Sequence, residues 1–516
     1  MDPKQRKKIL DKYLKMILTS RVYEVAKESN LDFAPNISRR LGKKIFLKRE
    51  DQQNTFSFKI RGAFNKMSSL TNEQKSQGVI AASAGNHAQG VSLAAKKLGI
   101  DAVIVMPNTT PTVKVEAVRQ LGSKIILFGD SYTDAFEKAK EIGLEKKLSF
   151  IHPFDDSAVI AGQGTIGMEL LRQAKEPIDK IFVGVGGGGL ISGVGAYVKA
   201  IRPEVKIIGV QMEDSSAMAQ SVKLGRRIKL KEVGIFSDGT AVKQVGNETF
   251  KLTKLVVDDF CIVSVDEVCA AIKDIFEDTR TIQEPAGALA LAGLKKYVSS
   301  KNGVKNSNNL VAITCGANIN FDRLRVIAER SELGKKKEAL FAIVLPEKRG
   351  SFLNLCKTLG NRPITEFNYR MTDKNKAVVF VGVQTKNLEE IKKIIKAVKA
   401  ANFIVHNLSD DETSKSHIRH MIGGKSKMTK NEKLFKFEFP ERPGALMNFL
   451  SSMNPHWNIS LFNYKNNGTD CGKILVGLQV PDHDNEPLRQ FLKKVGYSFK
   501  NETKNIAYKL FLNGSA

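Results

Sequence analysis

Between about Lys44 and Thr314 the chain alternates short, wholly apolar runs with stretches of helical spacing, and few folds accept that pattern. The runs are IFLK (45–48), VIAA (79–82), AVIVM (102–106), KIILF (124–128), KIFVGV (180–185), KIIGVQ (206–211), CIVSV (261–265) and LVAIT (310–314). A strand with one wet face alternates apolar and polar residues. These runs do not alternate, so both of their faces must be covered. Between many of them lie segments such as AQGVSLAAKKLG (88–99) and VDEVCAAIKDIFEDTR (265–280), whose apolar residues recur at helical spacing. Strands buried on both faces and separated by helices predict a parallel, doubly wound α/β architecture. In such a sheet, functional residues belong on loops at the carboxyl ends of the strands.

The pattern stops near Arg330. The charged stretch SELGKKKEA (331–339) reads as a linker, and beyond it the chain repeats itself. FAIVLPEKRGSFLNL (341–355) matches FKFEFPERPGALMNF (435–449), with Pro346 over Pro440 and Gly350 over Gly444, an offset of 94. ITEFNYR (364–370) matches ISLFNYK (459–465), and FVGVQ (380–384) matches LVGLQ (475–479), both at an offset of 95. Each copy reads strand, loop, helix, strand, strand, helix. Two α+β modules of roughly 80–90 residues, packed as a pair, are expected.

The 516 residues allow two to four domains, at roughly 100–200 residues each. No apolar run reaches the length of about 18 residues that a membrane-crossing helix needs. The basic N-terminus is not followed by an apolar signal segment, and a cytoplasmic location is expected. The five cysteines, Cys261, Cys269, Cys315, Cys356 and Cys471, are odd in number and widely spaced. They argue against a disulfide framework or a zinc site. The seven histidines form no metal-binding pattern. Lys and Arg number 81 against 54 Asp and Glu. That surplus is dispersed, and its densest stretch, 415–436, holds a single aromatic residue, Phe435. It describes a basic solvated surface better than a nucleic-acid interface.

Three motifs carry chemistry. In TFSFKIRGAF (55–64), Lys59 is set among Phe56, Phe58, Ile60 and Phe64. It is either a surface lysine with its stem on apolar neighbours or an amine held neutral by burial, able to bind an aldehyde as a Schiff base. KIFVGVGGGGLISG (180–193) runs from strand through four glycines into a helix. Gly184, Gly186 and Gly189 satisfy the dinucleotide fingerprint, with Glu204 or Glu213 as the ribose acid. Gly186 to Gly189 also suit a backbone cradle for a single phosphate at a helix N-terminus. In SAGNHAQG (83–90), Asn86 opens a helix either as its cap or as an amide that bonds a planar ligand. Together with the TCGAN loop (314–318), these features supply an amine, phosphate donors and polar partners at the loop ends of one α/β unit. A phosphorylated aldehyde, pyridoxal phosphate, calls for that set.

SFKIRGA, SAGNHAQG, HPFDD (152–156), GQGT (162–165), GGGGL, EPAGA (284–288) and CGAN, in that order, resemble the fold-type II (tryptophan synthase β-like) pyridoxal phosphate enzymes. With the duplicated module, the whole chain is similar to the biosynthetic threonine ammonia-lyases (threonine dehydratases). The resemblance implies a catalytic region of two open twisted sheets over 1–330, with a smaller subdomain at about 46–145. It also implies a linker at 331–340 and ACT-like regulatory modules at 341–425 and 434–513. Lys59 matches the lysine that holds the cofactor's aldehyde, with Phe58 beside it, and Asn86 the residue that bonds the ring oxygen. Gly186, Gly187, Gly188, Gly189 and Leu190 match the phosphate loop. Cys315 takes the place facing the ring nitrogen, where serine is usual, and a thiol is a weak partner there. Ser83, Ala84, Gly85 and His87 match the loop that holds the substrate carboxylate.

The implied reaction is β-elimination from L-threonine to 2-oxobutanoate and ammonia, the first committed step of isoleucine biosynthesis, with L-serine as a second substrate. Related racemases place a serine at the position of Ala84, and a methyl group cannot transfer a proton, so racemisation is disfavoured. Isoleucine feedback through the repeats is implied, with valine opposing it and Phe352, Tyr369, Leu446 and Tyr464 as effector contacts. Family likeness suggests a homotetramer. A threonine synthase or β-replacement enzyme would need a phosphate or second-substrate site, and the sequence offers none.

Overall fold

The computed structural model describes residues 2–512 apart from Pro111, Asp130, Ile235, 301–307, Asp322, Thr372, His417, Ile422, Lys425, Lys427, 441–444, 466–470, Ile506, Ala507 and 509–511. Gly444 of the repeat therefore lies outside the described residues. The chain divides into two compact units, Met1–Ser331 and Glu332–Ala516. Among the described residues no helix is long and apolar enough to cross a membrane.

The first unit contains, in chain order, β1 (Leu31–Phe33), β2 (Lys44–Arg49), β3 (Val79–Ala82), β4 (Ala102–Met106), β5 (Lys124–Leu127), β6 (Ser149–Phe150), β7 (Lys180–Gly184), β8 (Lys206–Met212), β9 (Asp259–Val263) and β10 (Asn309–Thr314). They form a six-stranded sheet in the order β1-β2-β10-β7-β8-β9 and a four-stranded sheet in the order β5-β4-β3-β6. Every pairing is parallel except that of β1 with β2. All eight apolar runs became strands. The run at 261–265 ends early, at Val263, because Ser264 caps the next helix in a reciprocal box with Glu267. β1 and β6, of three and two residues, are too short to leave a pattern. The smaller sheet spans Val79 to Phe150, whereas the smaller subdomain was expected at about 46–145. Residues 46–49 belong to β2 in the larger sheet.

Four helices position the candidate site: α1 (Lys59–Ser68), α2 (Asn86–Leu98), α3 (Ser157–Gln173) and α4 (Gly189–Ile201). α1 is tied to its surroundings by a cluster of buried charges. Arg61 donates from Nε to Glu50 Oε2 at 2.8 Å and from Nη1 to Glu169 Oε1 at 2.5 Å. Lys48 Nζ reaches Glu169 Oε2 at 2.6 Å and the Ser29 carbonyl at 2.6 Å. All four charged side chains are fully removed from solvent. Two cations balance two carboxylates; the Tyr23 hydroxyl also donates to Glu169 Oε1 and the Ser29 hydroxyl to Glu50 Oε1.

In the second unit, β11 (Glu338–Pro346), β12 (Ile364–Arg370), β13 (Lys376–Gln384) and β14 (Ile404–Asn407) build the first module with α5 (Ser351–Leu359) and α6 (Leu388–Ala400). β15 (Glu432–Pro440), β16 (Asn458–Lys465), β17 (Cys471–Gln479) and β18 (Ser498–Asn501) build the second with α7 (Ala445–Ser452) and α8 (Asn485–Val495). Each module ends in a short strand absent from the sequence reading. β12 pairs antiparallel with β16, Phe367 opposite Tyr464 and Tyr369 opposite Phe462, so the modules share one eight-stranded sheet. The segment read as a linker is mostly folded: a helix from Arg323 runs to Gly334 and β11 begins at Glu338.

Removing Arg61 leaves Glu50 and Glu169 buried with only Lys48 to compensate. Arg61→Met should therefore destabilise the protein by about 3–5 kcal/mol, read as a lower denaturant midpoint. Adding Glu50→Gln should recover part of that loss, because it removes an orphaned charge.

Candidate active site at four helix ends

Glycines let the four helices approach almost backbone to backbone. A Cβ on Gly90 of α2 would stand 3.1 Å from the Lys59 carbonyl carbon, and one on Gly162 of α3 would stand 2.7 Å from the Arg61 carbonyl oxygen. One on Gly193 of α4 would stand 2.7 Å from the Gly164 nitrogen. Every one of these contacts falls within the first eight residues of its helix. The helices therefore cross near their N-terminal ends, which gather at one place. α1, α2 and α4 start there without a side-chain cap, whereas Asp156 accepts the Ala158 and Val159 N–H groups of α3; the positive ends of the helix dipoles meet at this place.

Lys59 is the first residue of α1. The turn before it holds Phe56 at φ 51, a strained conformation for a bulky residue. Its amide donates to the Gln53 carbonyl at 2.8 Å, and its carbonyl accepts from Ala317 at 2.9 Å. Lys59 Nζ donates to the Pro153 carbonyl at 3.1 Å and lies 5.2 Å from the Phe58 ring centre. The side chain keeps part of its surface open, yet burial of the amine lowers its pKa to about 8. The reading of Lys59 as a solvated surface residue does not survive.

The HPFDD segment joins the amine to the glycine loop. Phe154 follows Pro153, and its ring occupies the space that a Cβ on Gly187 would need. Gly188 sits at φ +96, and Thr249 Oγ1 donates to the Gly187 carbonyl at 2.7 Å. The loop thus opens α4 with no side-chain hydrogen bond to its first N–H groups, and Leu190 is buried behind it. That uncapped loop, on the same HPFDD segment as the lysine amine, fits a phosphorylated aldehyde such as pyridoxal phosphate.

Asn86 opens α2, but the capping position belongs to Gly85. Its amide instead donates from Nδ2 to Glu284 Oε1 at 2.6 Å and accepts at Oδ1 from Asn318 Nδ2 at 2.7 Å. Burial, with Asp238 behind it, pushes Glu284 up to about 7. Cys315 is buried below this point. Its thiol donates to the Ala286 carbonyl at 3.2 Å, and burial pushes its pKa far up, so it stays neutral. Ser83 Oγ accepts the Gly85 N–H at 3.2 Å, and Ser83 to Asn86 keep part of their surface. His87 is different: its ring is 3 % exposed and its Nε2 meets the Ile151 carbonyl at 2.8 Å. A carbonyl only accepts, so the Nε2 proton is spent there. Burial lowers the pKa of His87 to about 3 and that of His152 to about 4. The expected carboxylate loop thus offers backbone N–H groups, not the His87 ring. Pro153, Phe154, Glu284 and Asn318 were visible only as members of quoted motifs, with no role attached.

A second concave site lies in the C-terminal unit. A cavity of about 290 Å³ is walled by Glu347, Ser351, Phe352, Trp457, Asn458 and Ile459, among others. Phe352 packs edge-on against Tyr369, with ring centres 4.7 Å apart. Tyr369 is not a wall but stands behind one, its hydroxyl donating to Glu347. Leu446 packs against the core of this unit and Tyr464 is 9 % exposed; neither lines this cavity.

Comparison with known proteins assigns a family to each of the two units. The profile of pyridoxal-phosphate dependent enzymes matches residues 25–316. The C-terminal regulatory domain of threonine dehydratase matches twice, at 329–418 and 423–512. The chain is 55 % identical over 504 residues to the biosynthetic L-threonine dehydratase IlvA of Burkholderia multivorans, covering 97 % of this chain and 99 % of that one. It is 46 % identical to that of Escherichia coli, covering 97 % of each. Among solved structures, the processed threonine deaminase isoform 2 of Solanum lycopersicum superposes with a TM-score of 0.61 at 46 % identity, over 64 % of this chain and 94 % of that one. Maize serine racemase superposes at 0.58 with 34 % identity, over 61 % and 95 %.

A lysine lowered to about 8 should react with pyridoxal phosphate at a rate that is half-maximal near that pH. A solvated lysine titrates near about 10.4, and a rate still rising toward that range would show the amine to be solvated. Lys59→Ala should abolish the bound chromophore.

Proposed function

The chain belongs to the biosynthetic L-threonine dehydratases, lyases that use pyridoxal phosphate, and from that membership we propose how its own residues divide the reaction. Lys59 carries the cofactor and moves the substrate proton, Asn86 holds the ring oxygen, and Gly186 to Gly189 with Leu190 hold the phosphate. When bound, pyridoxal phosphate supplies an electron-withdrawing ring that acidifies the Cα–H of an attached amino acid. The observation that carries the assignment is the Lys59 amine at the meeting point of four helix N-termini, lowered to about 8. Near neutral pH such an amine shifts readily between its two protonation states, as a general base must.

L-threonine enters with its carboxylate against the N–H groups of the Ser83–Asn86 loop. Lys59 Nζ takes the Cα proton, and the β-hydroxyl takes up one proton and departs as water, which balances the proton removed. The unsaturated amine that is released hydrolyses to 2-oxobutanoate and ammonia. Cys315 supports elimination over chemistry that needs a protonated ring nitrogen. Its thiol is neutral and its proton is engaged with Ala286, so it offers no carboxylate-like partner. Ala84 leaves the opposite face of the substrate without an acid, which distinguishes this chain from a racemase.

The C-terminal cavity supports regulation by an amino acid, with isoleucine as the inhibitor and valine opposing it. Glu347 is an acid for the ammonium group. α5 begins there after Gly350, with no side-chain cap over its first-turn N–H groups, which suits a carboxylate. Phe352, Trp457 and Ile459 give a wall for a branched aliphatic side chain. An inhibitor must bind one state of the enzyme better than another.

Purified protein should release keto acid from L-threonine, and the rate should fall when L-isoleucine is added. Phe352→Ala should keep the uninhibited rate and lose most of the inhibition. Inhibition unchanged in that variant would remove the cavity as the sensor. With L-serine the product should be pyruvate; substantial D-serine on chiral chromatography would overturn the role given to Ala84.

A further inference from the structure

The amide of Asn86 sits in the middle of a hydrogen-bond chain with only one possible polarity. At one end is the main-chain carbonyl of Thr55, in the loop before Lys59, which can only accept. Asn318 Nδ2 donates to it at 2.8 Å and donates its other hydrogen to Asn86 Oδ1 at 2.7 Å. Both Asn318 hydrogens are then used, so the atom of Asn86 that faces Asn318 must be the oxygen. The Asn86 nitrogen in turn faces Glu284 Oε1 at 2.6 Å. One of its two hydrogens goes there and one is left.

Glu284 stands at the N-cap position of the helix Pro285–Ser299, where an acidic side chain usually bonds first-turn N–H groups. It makes no such bond, and its 4 % exposed side chain is directed to Asn86 instead. Gly316 keeps the space open: a Cβ there would lie 2.5 Å from Glu284 Oε1 and 3.2 Å from Asn86 Nδ2. Thr55, Asn318 and Glu284 belong to three different loop ends, and Asn86 opens a helix of the smaller subdomain. Helix capping and local turn formation therefore leave the arrangement unexplained.

We propose that Glu284 and Asn318 are positioning residues that lock the Asn86 side chain in one orientation, so that its remaining N–H is the atom presented to the cofactor's ring oxygen. The inference rests on the reading of Asn86 as the ring-oxygen contact. Without Asn318 the amide can turn over and present its oxygen, which repels an anionic ring oxygen where the N–H would bond it. Without an acceptor at 284 the N–H loses the partner that aims it.

The test titrates the cofactor-free full chain with pyridoxal phosphate and follows both affinity and the visible absorption band. Asn86→Ala should weaken binding by about 10-fold and shift the band, as loss of one hydrogen bond to a charged group does. Asn318→Asp keeps the shape but cannot donate to either carbonyl. It should weaken binding by about 3-fold or more and shift the band the same way. Glu284→Ala should do likewise, and Glu284→Gln, which retains an acceptor, should restore most of that loss. Residues that act through Asn86 lose their effect when it is gone, so Asn318→Asp should add nothing in an Asn86→Ala background. Wild-type affinity and spectrum in Asn318→Asp and Glu284→Ala, with Asn86→Ala impaired, would overturn the proposal and leave the Asn86 reading intact. Multiplying losses in the combined variant would overturn it too. An unchanged Asn86→Ala would overturn the Asn86 reading and the proposal with it.

Discussion

Four charges that never meet water fix the helix that carries Lys59. Lys48, Glu50, Arg61 and Glu169 come from a strand, a turn and two helices, and each is fully buried. Burying an ion costs several kcal/mol, and attraction offsets it only when the geometry is good and the remaining hydrogen-bonding groups are satisfied. Those conditions hold here, with contacts of 2.5–2.8 Å and hydroxyl and carbonyl partners around the rim. Such a group tolerates one arrangement, because any slip strands a charge. Arg61 lies two residues beyond Lys59, so the amine inherits that precision.

The same helix is wedged between α2 and α3 through Gly90 and Gly162, and α4 joins α3 through Gly193. Close crossing near the helix starts collects several positive dipole ends around one cleft. That field opposes a further positive charge and favours an anion. The lowered basicity of Lys59, His87 and His152 has burial as its largest cause. Burial acts in the same direction on Lys59, His87 and His152, since each is charged only when protonated.

In the C-terminal unit the duplicated modules are joined strand to strand at β12 and β16. Glu347 and Phe352 from the first copy meet Trp457 and Asn458 from the second in one cavity. Tyr369 is held behind Glu347, and its counterpart Tyr464 is buried elsewhere in the same sheet. The cavity walls come from both modules, so its shape depends on how they pack.

Much of this was legible in the residues. Unbroken apolar runs specified parallel strands buried on both faces, offsets of 94 and 95 specified the duplication, and four consecutive glycines marked the uncapped turn that opens α4. These are local or periodic signals, carried by the chain without knowledge of its folded path. Strands of two and three residues left no period to detect, and the helix to Gly334 lay hidden under a charged surface. What only the tertiary structure decided were relations between distant residues. Sequence could not choose between a solvated Lys59 and a desolvated one, because its burial depends on distant parts of the chain such as the segment at Pro153, whose carbonyl accepts from the amine. Nor could it choose between Asn86 as a cap and Asn86 as an amide bonded to distant side chains, since Asn318 and Glu284 stand 232 and 198 residues away. Periodicity records which side of an element faces the core. The protonation and aim of a buried group depend on what the rest of the chain brings within about 3 Å of it.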